Sequence, residues 1–226
     1  MPRPAASRTP RPARAASLAL AAALVLAGCS GGGLGQEAGE QAREGDSRSY
    51  VAGDGSVATV AVEERGEPVE LAGETTDGST VDVADWRGDV VVLNVWYAAC
   101  PPCRKEAPDL AAIAQETATD GVRFLGINTE DDAATAQAFE RTFATPYPSL
   151  LDAGDGSALL ALRGTVPPQA VPSTVVLDAQ GRPAARVLGI ADPSVLSALV
   201  QDVRAESGPA EDDQAAEGAA VPAEAG

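Results

Sequence analysis

Cys100-Pro101-Pro102-Cys103 sits directly between the apolar, β-branched run Val90-Val91-Val92-Leu93-Asn94-Val95-Trp96 and a segment of helical periodicity. The run does not alternate as a half-exposed strand would, so it reads as a central strand buried on both faces. Proline is tolerated in the first turn of a helix, where the backbone N–H groups have no intrahelical partner. The chain is therefore expected to pass from a buried strand straight into a helix, with two thiols at the junction. Thiols three residues apart at a helix start can close a small disulfide ring, and the helix N-terminus can hold the first of them as thiolate.

The flanking pattern predicts the rest of the fold. Pro68–Val83 reads as a β-hairpin turning at Asp77-Gly78, followed by a corner at Asp85–Gly88. The helix after the cysteines extends to about Thr119, with Leu110, Ile113 and Ala114 on one face. A second buried strand covers Val122–Ile127, and Asp131–Phe143 reads as a helix with Phe139 and Phe143 four residues apart. A short strand at Tyr147–Leu151 and a short helix at Ser157–Leu162 come next. The strand Thr174–Asp178, a turn, the return strand Ala184–Leu188 and a helix over Pro193–Arg204 complete the series. This order describes an α/β fold: a central mixed β-sheet flanked by helices, with an N-terminal β-hairpin.

The two ends differ from the middle. Residues 1–28 carry Arg3, Arg8, Arg11 and Arg14, no acid, and a short apolar stretch, the pattern of a secretory signal peptide. The stretch closes on Leu26-Ala27-Gly28-Cys29, which resembles the lipobox of bacterial lipoproteins and implies lipid attachment at Cys29. Residues 29–56 are Gly-, Ser-, Glu- and Gln-rich and read as a flexible tether, and 205–226 as a disordered acidic tail. The domain proper is expected over 57–204. Loss of the four arginines with the signal takes the formal net charge from −17 to −21. Such acidity disfavours nucleic acid and anionic lipid, so any membrane contact would rest on the acyl anchor.

Competing uses of a CxxC fail on missing residues. A structural zinc site wants four ligands, and the chain has three cysteines and no histidine. Covalent haem attachment wants a histidine after the second cysteine, where Arg104 stands. A peroxiredoxin-like peroxidatic site would have threonine or serine where Tyr97 stands and proline where Leu93 stands. A purely structural disulfide closing so small a ring restrains the unfolded chain little. Thiol–disulfide exchange remains, with no metal and no cofactor expected.

The run from Gly88 to Leu110, together with Val171-Pro172-Ser173-Thr174 before a strand, resembles the TlpA/ResA-like membrane-tethered thiol–disulfide oxidoreductases of the thioredoxin superfamily. The resemblance spans Pro68 to Arg204. It implies that Cys100 is an exposed nucleophile and Cys103 the buried resolving thiol. It also implies that a cis Val171–Pro172 bond faces the pair, leaving the preceding backbone to meet substrate. Trp96 would cover the active-site face or belong to the core. Thioredoxins proper carry a buried aspartate where this chain has Asn94. The resemblance places an assisting acid after the second strand instead, at Glu130 in preference to Asp131. Ala99 departs from the family's usual tryptophan, which bears on partner recognition.

The two prolines also suggest a direction of electron flow. Neither carries an N–H, so Cys103 is the nearest main-chain donor to a Cys100 thiolate; a less stabilised thiolate makes a weaker oxidant. The expected activity is a lipid-anchored, extracytoplasmic protein-disulfide reductase on the outer face of the cytoplasmic membrane, implied by the resemblance to serve cytochrome c maturation. Its partners would be protein thiols and disulfides and a membrane electron-donor protein, with the chain itself a monomer. Two alternatives stand beside it: an exported dithiol oxidant aiding secreted-protein folding, and a non-catalytic binding lipoprotein on the same scaffold.

Overall fold

The β-branched runs assemble into one six-stranded sheet in the computed structural model, which describes residues 56–206. In chain order the elements are β1 (Val57–Thr59), β2 (Ala72–Glu74), β3 (Thr80–Asp82), β4 (Val90–Trp96), α1 (Pro101–Glu116), β5 (Val122–Asn128), α2 (Ala133–Phe143), β6 (Ser149–Leu151), α3 (Ser157–Ala161), β7 (Ser173–Leu177), β8 (Pro183–Leu188) and α4 (Pro193–Glu206). The sheet order is β1-β8-β7-β4-β5-β6. β4, β5 and β6 run parallel, while β7 pairs antiparallel with both β4 and β8, and β1 pairs antiparallel with β8. Strands β2 and β3 form the separate hairpin, closed through Gly78 at φ 83°. The mixed α/β architecture is the one expected from the sequence.

Burial on both faces explains the unbroken apolar run. Val90 and Val92 of β4 face Leu110 and Ile113 of α1 and Leu196 and Val200 of α4. Val91, Leu93 and Val95 face the other way, toward Leu71, Val83 and Leu162. At the carboxyl end of β4 a third cluster gathers Trp96, Cys100, Cys103 and Ala107 with Ala136 and Phe139 of α2. Central strand, helix α1 and helix α2 therefore converge where the two cysteines lie.

Several boundaries depart from expectation. β1 forms at Val57–Thr59, a stretch too short to show periodicity, and gains its partner only from β8. Helix α1 ends at Glu116 because Thr117 caps it, its N–H and Oγ1 both bonding Ile113 C=O. β6 begins at Ser149 and not Tyr147, since Pro148 has no N–H for the ladder and the Tyr147 ring packs on Phe124. Helix α4 continues to Glu206, whose carboxylate pairs with Arg65. Ala205 and Glu206, expected in the tail, thus belong to α4; the signal peptide, Cys29, the tether up to residue 55 and the tail from 207 lie outside the described residues, among which no helix is long and apolar enough to cross a membrane.

Candidate functional site

Cys100 is the N-cap of α1, with Pro101 and Pro102 in the first helical positions. A disulfide joins Cys100 to Cys103, their Cα atoms 5.3 Å apart. Of the first-turn amides only Cys103 N–H reaches Cys100 Sγ, at 3.2 Å, because the two prolines have none to offer. Both cysteines are 1% exposed. The expectation of an exposed Cys100 above a buried Cys103 is therefore corrected for this oxidised state. Both disulfide-bonded cysteines belong to the cluster with Trp96, against which Tyr97, Ala98 and Val171 also pack. Ala99 and Pro101 are what the junction presents to solvent.

Other expected residues fall around this pair with unequal engagement. Trp96 is 4% exposed and lies against Phe139, ring centroids 4.3 Å apart, so it is a buried wall of the site and not a cover over it. The Val171–Pro172 peptide is cis. Pro172 is buried and its C=O accepts the Gly189 N–H at 2.9 Å, while Val171 N–H turns back to Gln169 C=O at 3.1 Å. Glu130 is exposed, and only its backbone N–H is engaged, by Asn128 Oδ1 at 3.3 Å. Asp131 instead reaches the approach to the pair: its Oδ2 accepts Ala98 N–H at 2.6 Å and Asn128 Nδ2 at 2.8 Å. Arg104 holds the other side of that turn, donating to Ala98 C=O at 3.3 Å while its guanidinium lies 5.1 Å from the Phe143 ring centroid.

The acid nearest the pair in the helix is one that sequence reading passed over. Glu106 follows Cys103 by one helical turn and is 1% exposed. Its Oε1 accepts from Asn94 Nδ2 at 2.9 Å and its Oε2 from Ala191 N–H at 3.0 Å. Burial pushes its carboxyl up to about 7 from an ordinary 4.5; the two hydrogen bonds pull downward without overcoming it, and Asp109 adds a small upward push. The signal that could have found it is its spacing: Cys103, Ala107 and Leu110 mark the buried stripe of α1, and Glu106 lies on that stripe. Among the described residues no cluster of His, Cys, Asp and Glu is arranged to hold a metal ion.

A family model described as Redoxin matches residues 54–195 of this chain. The thiol:disulfide interchange protein HelX of Rhodobacter capsulatus is 30% identical over 139 residues, which cover 62% of this chain and 72% of HelX. The thiol:disulfide interchange protein DsbE of Pseudomonas aeruginosa is 35% identical over 112 residues, and the match spans only 58% of that relative and 50% of this chain. Among solved structures, a DsbF homologue from Corynebacterium diphtheriae superposes with a TM-score of 0.61 at 32% identity, covering 68% of this chain and 96% of the homologue. A secreted thiol-disulfide isomerase from Corynebacterium glutamicum gives 0.61 at 29% identity, covering 70% and 98%.

Proposed function

This chain belongs to the redoxin family, as a TlpA/ResA-like member of the thioredoxin superfamily, and from that membership we propose that it is an extracytoplasmic protein-disulfide reductase. Cys100 and Cys103 are its exchanging thiols. Residues 1–28 direct export, Cys29 carries the lipid that anchors the chain to the outer face of the cytoplasmic membrane, and 29–56 tether the domain to it. The observation that carries the reading is the Cys100–Cys103 disulfide at the start of α1, packed with Val171 and one helical turn from the buried Glu106.

In the dithiol state the Cys100 thiolate attacks a substrate disulfide, and one substrate sulfur leaves as thiolate. Cys103 then attacks Cys100 Sγ, the second substrate sulfur leaves, and the Cys100–Cys103 disulfide remains. Two electrons have passed to the substrate, and a dithiol on a membrane electron-transfer protein returns them. The missing N–H groups of Pro101 and Pro102 leave the Cys100 thiolate with a single main-chain donor, which favours giving electrons over taking them. Apocytochrome c is the substrate implied by the family resemblance.

Trapping tests the reading directly. The full chain bearing Cys103→Ser, expressed in its own cells, should accumulate mixed disulfides at Cys100 with exported proteins; their absence, together with insulin reduction by Cys100→Ser as fast as by wild type, would leave only a binding role. An exported oxidant is the second reading, favoured by the likeness to a secreted isomerase. Equilibration with glutathione separates the two, since a potential near about −120 mV, that of the strongest exported oxidants, would select the oxidant.

A further inference from the structure

A small cavity lies against Cys103 and touches neither Cys100 nor Pro172. Asn94, Trp96, Cys103, Phe139, Thr145 and Tyr147 are among its walls, and it has room for about one water molecule. A buried water needs two to four polar partners, which the Asn94 amide, the two hydroxyl residues and the cysteine sulfur can supply. Asn94 and Cys103 are buried whereas Thr145 and Tyr147 are partly buried, so the cavity lies between the sulfur and residues that reach toward the surface. Glu106 does not line it. Both Glu106 oxygens are already engaged, and the Asn94 amide that bonds one of them does not take up a proton. Glu106 can therefore bias the charge at Cys103, but no continuous path joins the two through Asn94. Tyr147 can relay. Burial, helped by the carboxylates of Glu106 and Glu140, pushes its ionisation above the ordinary tyrosine value, so its hydroxyl stays neutral and can accept one proton while donating another.

We propose that this cavity is the proton route of the resolving thiol, in which a water held by Asn94, Thr145 and Tyr147 carries the Cys103 proton to solvent on the side away from the substrate. The inference rests on the dithiol exchange proposed above. In that step Cys103 Sγ–H gives its proton to the cavity water, and the thiolate attacks Cys100 Sγ. The Cys100–Cys103 bond forms as the bond between Cys100 and the substrate sulfur breaks. The substrate sulfur leaves with the electron pair and takes a proton from solvent, so the two cysteines are oxidised and the substrate is reduced.

Tyr147→Phe tests the route cleanly, because the ring keeps its place 5.4 Å from Phe124 and only the hydroxyl is lost. Thr145→Val makes the matching deletion at the other wall. The reduced full chain and each variant are mixed rapidly with a disulfide-bonded peptide, and formation and resolution of the mixed disulfide are followed separately across pH in H2O and D2O. Tyr147→Phe should slow resolution about tenfold, short of the roughly hundredfold a fully placed acid–base group supplies. It should alter the solvent isotope effect on that step and leave mixed-disulfide formation unchanged. Wild-type resolution in both variants at every pH would overturn the route, and so would equal slowing of both steps, which marks a disturbed fold. Failure of the underlying function looks different: no mixed disulfide would form even with the wild-type chain.

Discussion

Asn94 Nδ2 lies 2.9 Å from Glu106 Oε1, and this bond ties the middle of the central strand to the helix that carries both thiols. The strand position that bears a buried acid in thioredoxins proper is here a donor. The acid has moved to the helix, one turn beyond Cys103. Ala191 N–H completes its shell from the segment after β8, so three elements hold one carboxyl beside the redox pair.

Stability should fall as pH rises through neutrality, in a way that depends on Glu106. Its carboxyl ionises at 4.5 in the unfolded chain and at about 7 in the fold, so the folded state holds that proton more tightly. Its stabilising contribution is fully present below 4.5 and is lost as pH climbs through about 7. At about 1.4 kcal/mol per unit, the loss is on the order of 3 kcal/mol. Urea unfolding at a series of pH values checks it: Glu106→Gln should flatten the slope over that window, and a slope equal to wild type would contradict the assignment.

Asp131 and Glu130 should separate sharply. Asp131→Ala removes a charged acceptor from Ala98 N–H and Asn128 Nδ2, a loss of about 1.5–3 kcal/mol per such bond at the upper end. Glu130→Ala should stay within about 0.5 kcal/mol of wild type. Denaturation midpoints and insulin-reduction rates for both variants decide the matter. A larger effect at Glu130 would restore the sequence-based preference.

Gly126→Ala should damage the site from behind. A Cβ there would stand 2.7 Å from Trp96 Nε1 and 2.8 Å from Ser149 Cβ, and closer still to Ser149 Oγ, so Trp96 must shift against Phe139 and the cysteines. Overpacking of this kind costs about 1–3 kcal/mol. Thermal unfolding and the rate of disulfide exchange should fall together, and a variant with wild-type values in both would show that the wall yields freely.

Asp178 is predicted to be the most costly ion-pair residue. Its side chain is 1% exposed and pairs with Arg65, itself 3% exposed, at 3.1 Å and with Arg182 at 2.8 Å. It also accepts Gln180 and Arg182 N–H in the turn between β7 and β8. Asp178→Ala leaves the buried Arg65 with Val60 C=O and the exposed Glu206 carboxylate as its remaining partners among the described residues, which should cost about 3–5 kcal/mol. Disrupting the exposed Arg123–Asp89 pair by Arg123→Ala should cost under about 1 kcal/mol. Comparable losses from the two would overturn the burial argument.

What could be read from the chain was local. The run Val90–Trp96 had to be a doubly buried strand, Pro101 and Pro102 had to open a helix, and Asp77-Gly78 had to turn a hairpin, because each depends on neighbours a few residues away. β1 escaped notice because its ladder partner is β8, far along the chain. Glu106 escaped because a glutamate in a helix is solvated by default, and its burial follows from Asn94 and from Ala191, 85 residues downstream.

The sequence by itself determined the class of fold, the strand-to-helix junction and the two sulfurs placed there, since hydrophobic period and proline geometry act within one or two turns. Only the tertiary structure decided which acid attends them, that Trp96 is a wall, that both sulfurs are buried when joined, and that a water-sized cavity reaches Cys103. Those outcomes depend on desolvation, which is set by what other segments bring into contact, and desolvation is a property of the packed site and not of any stretch of chain.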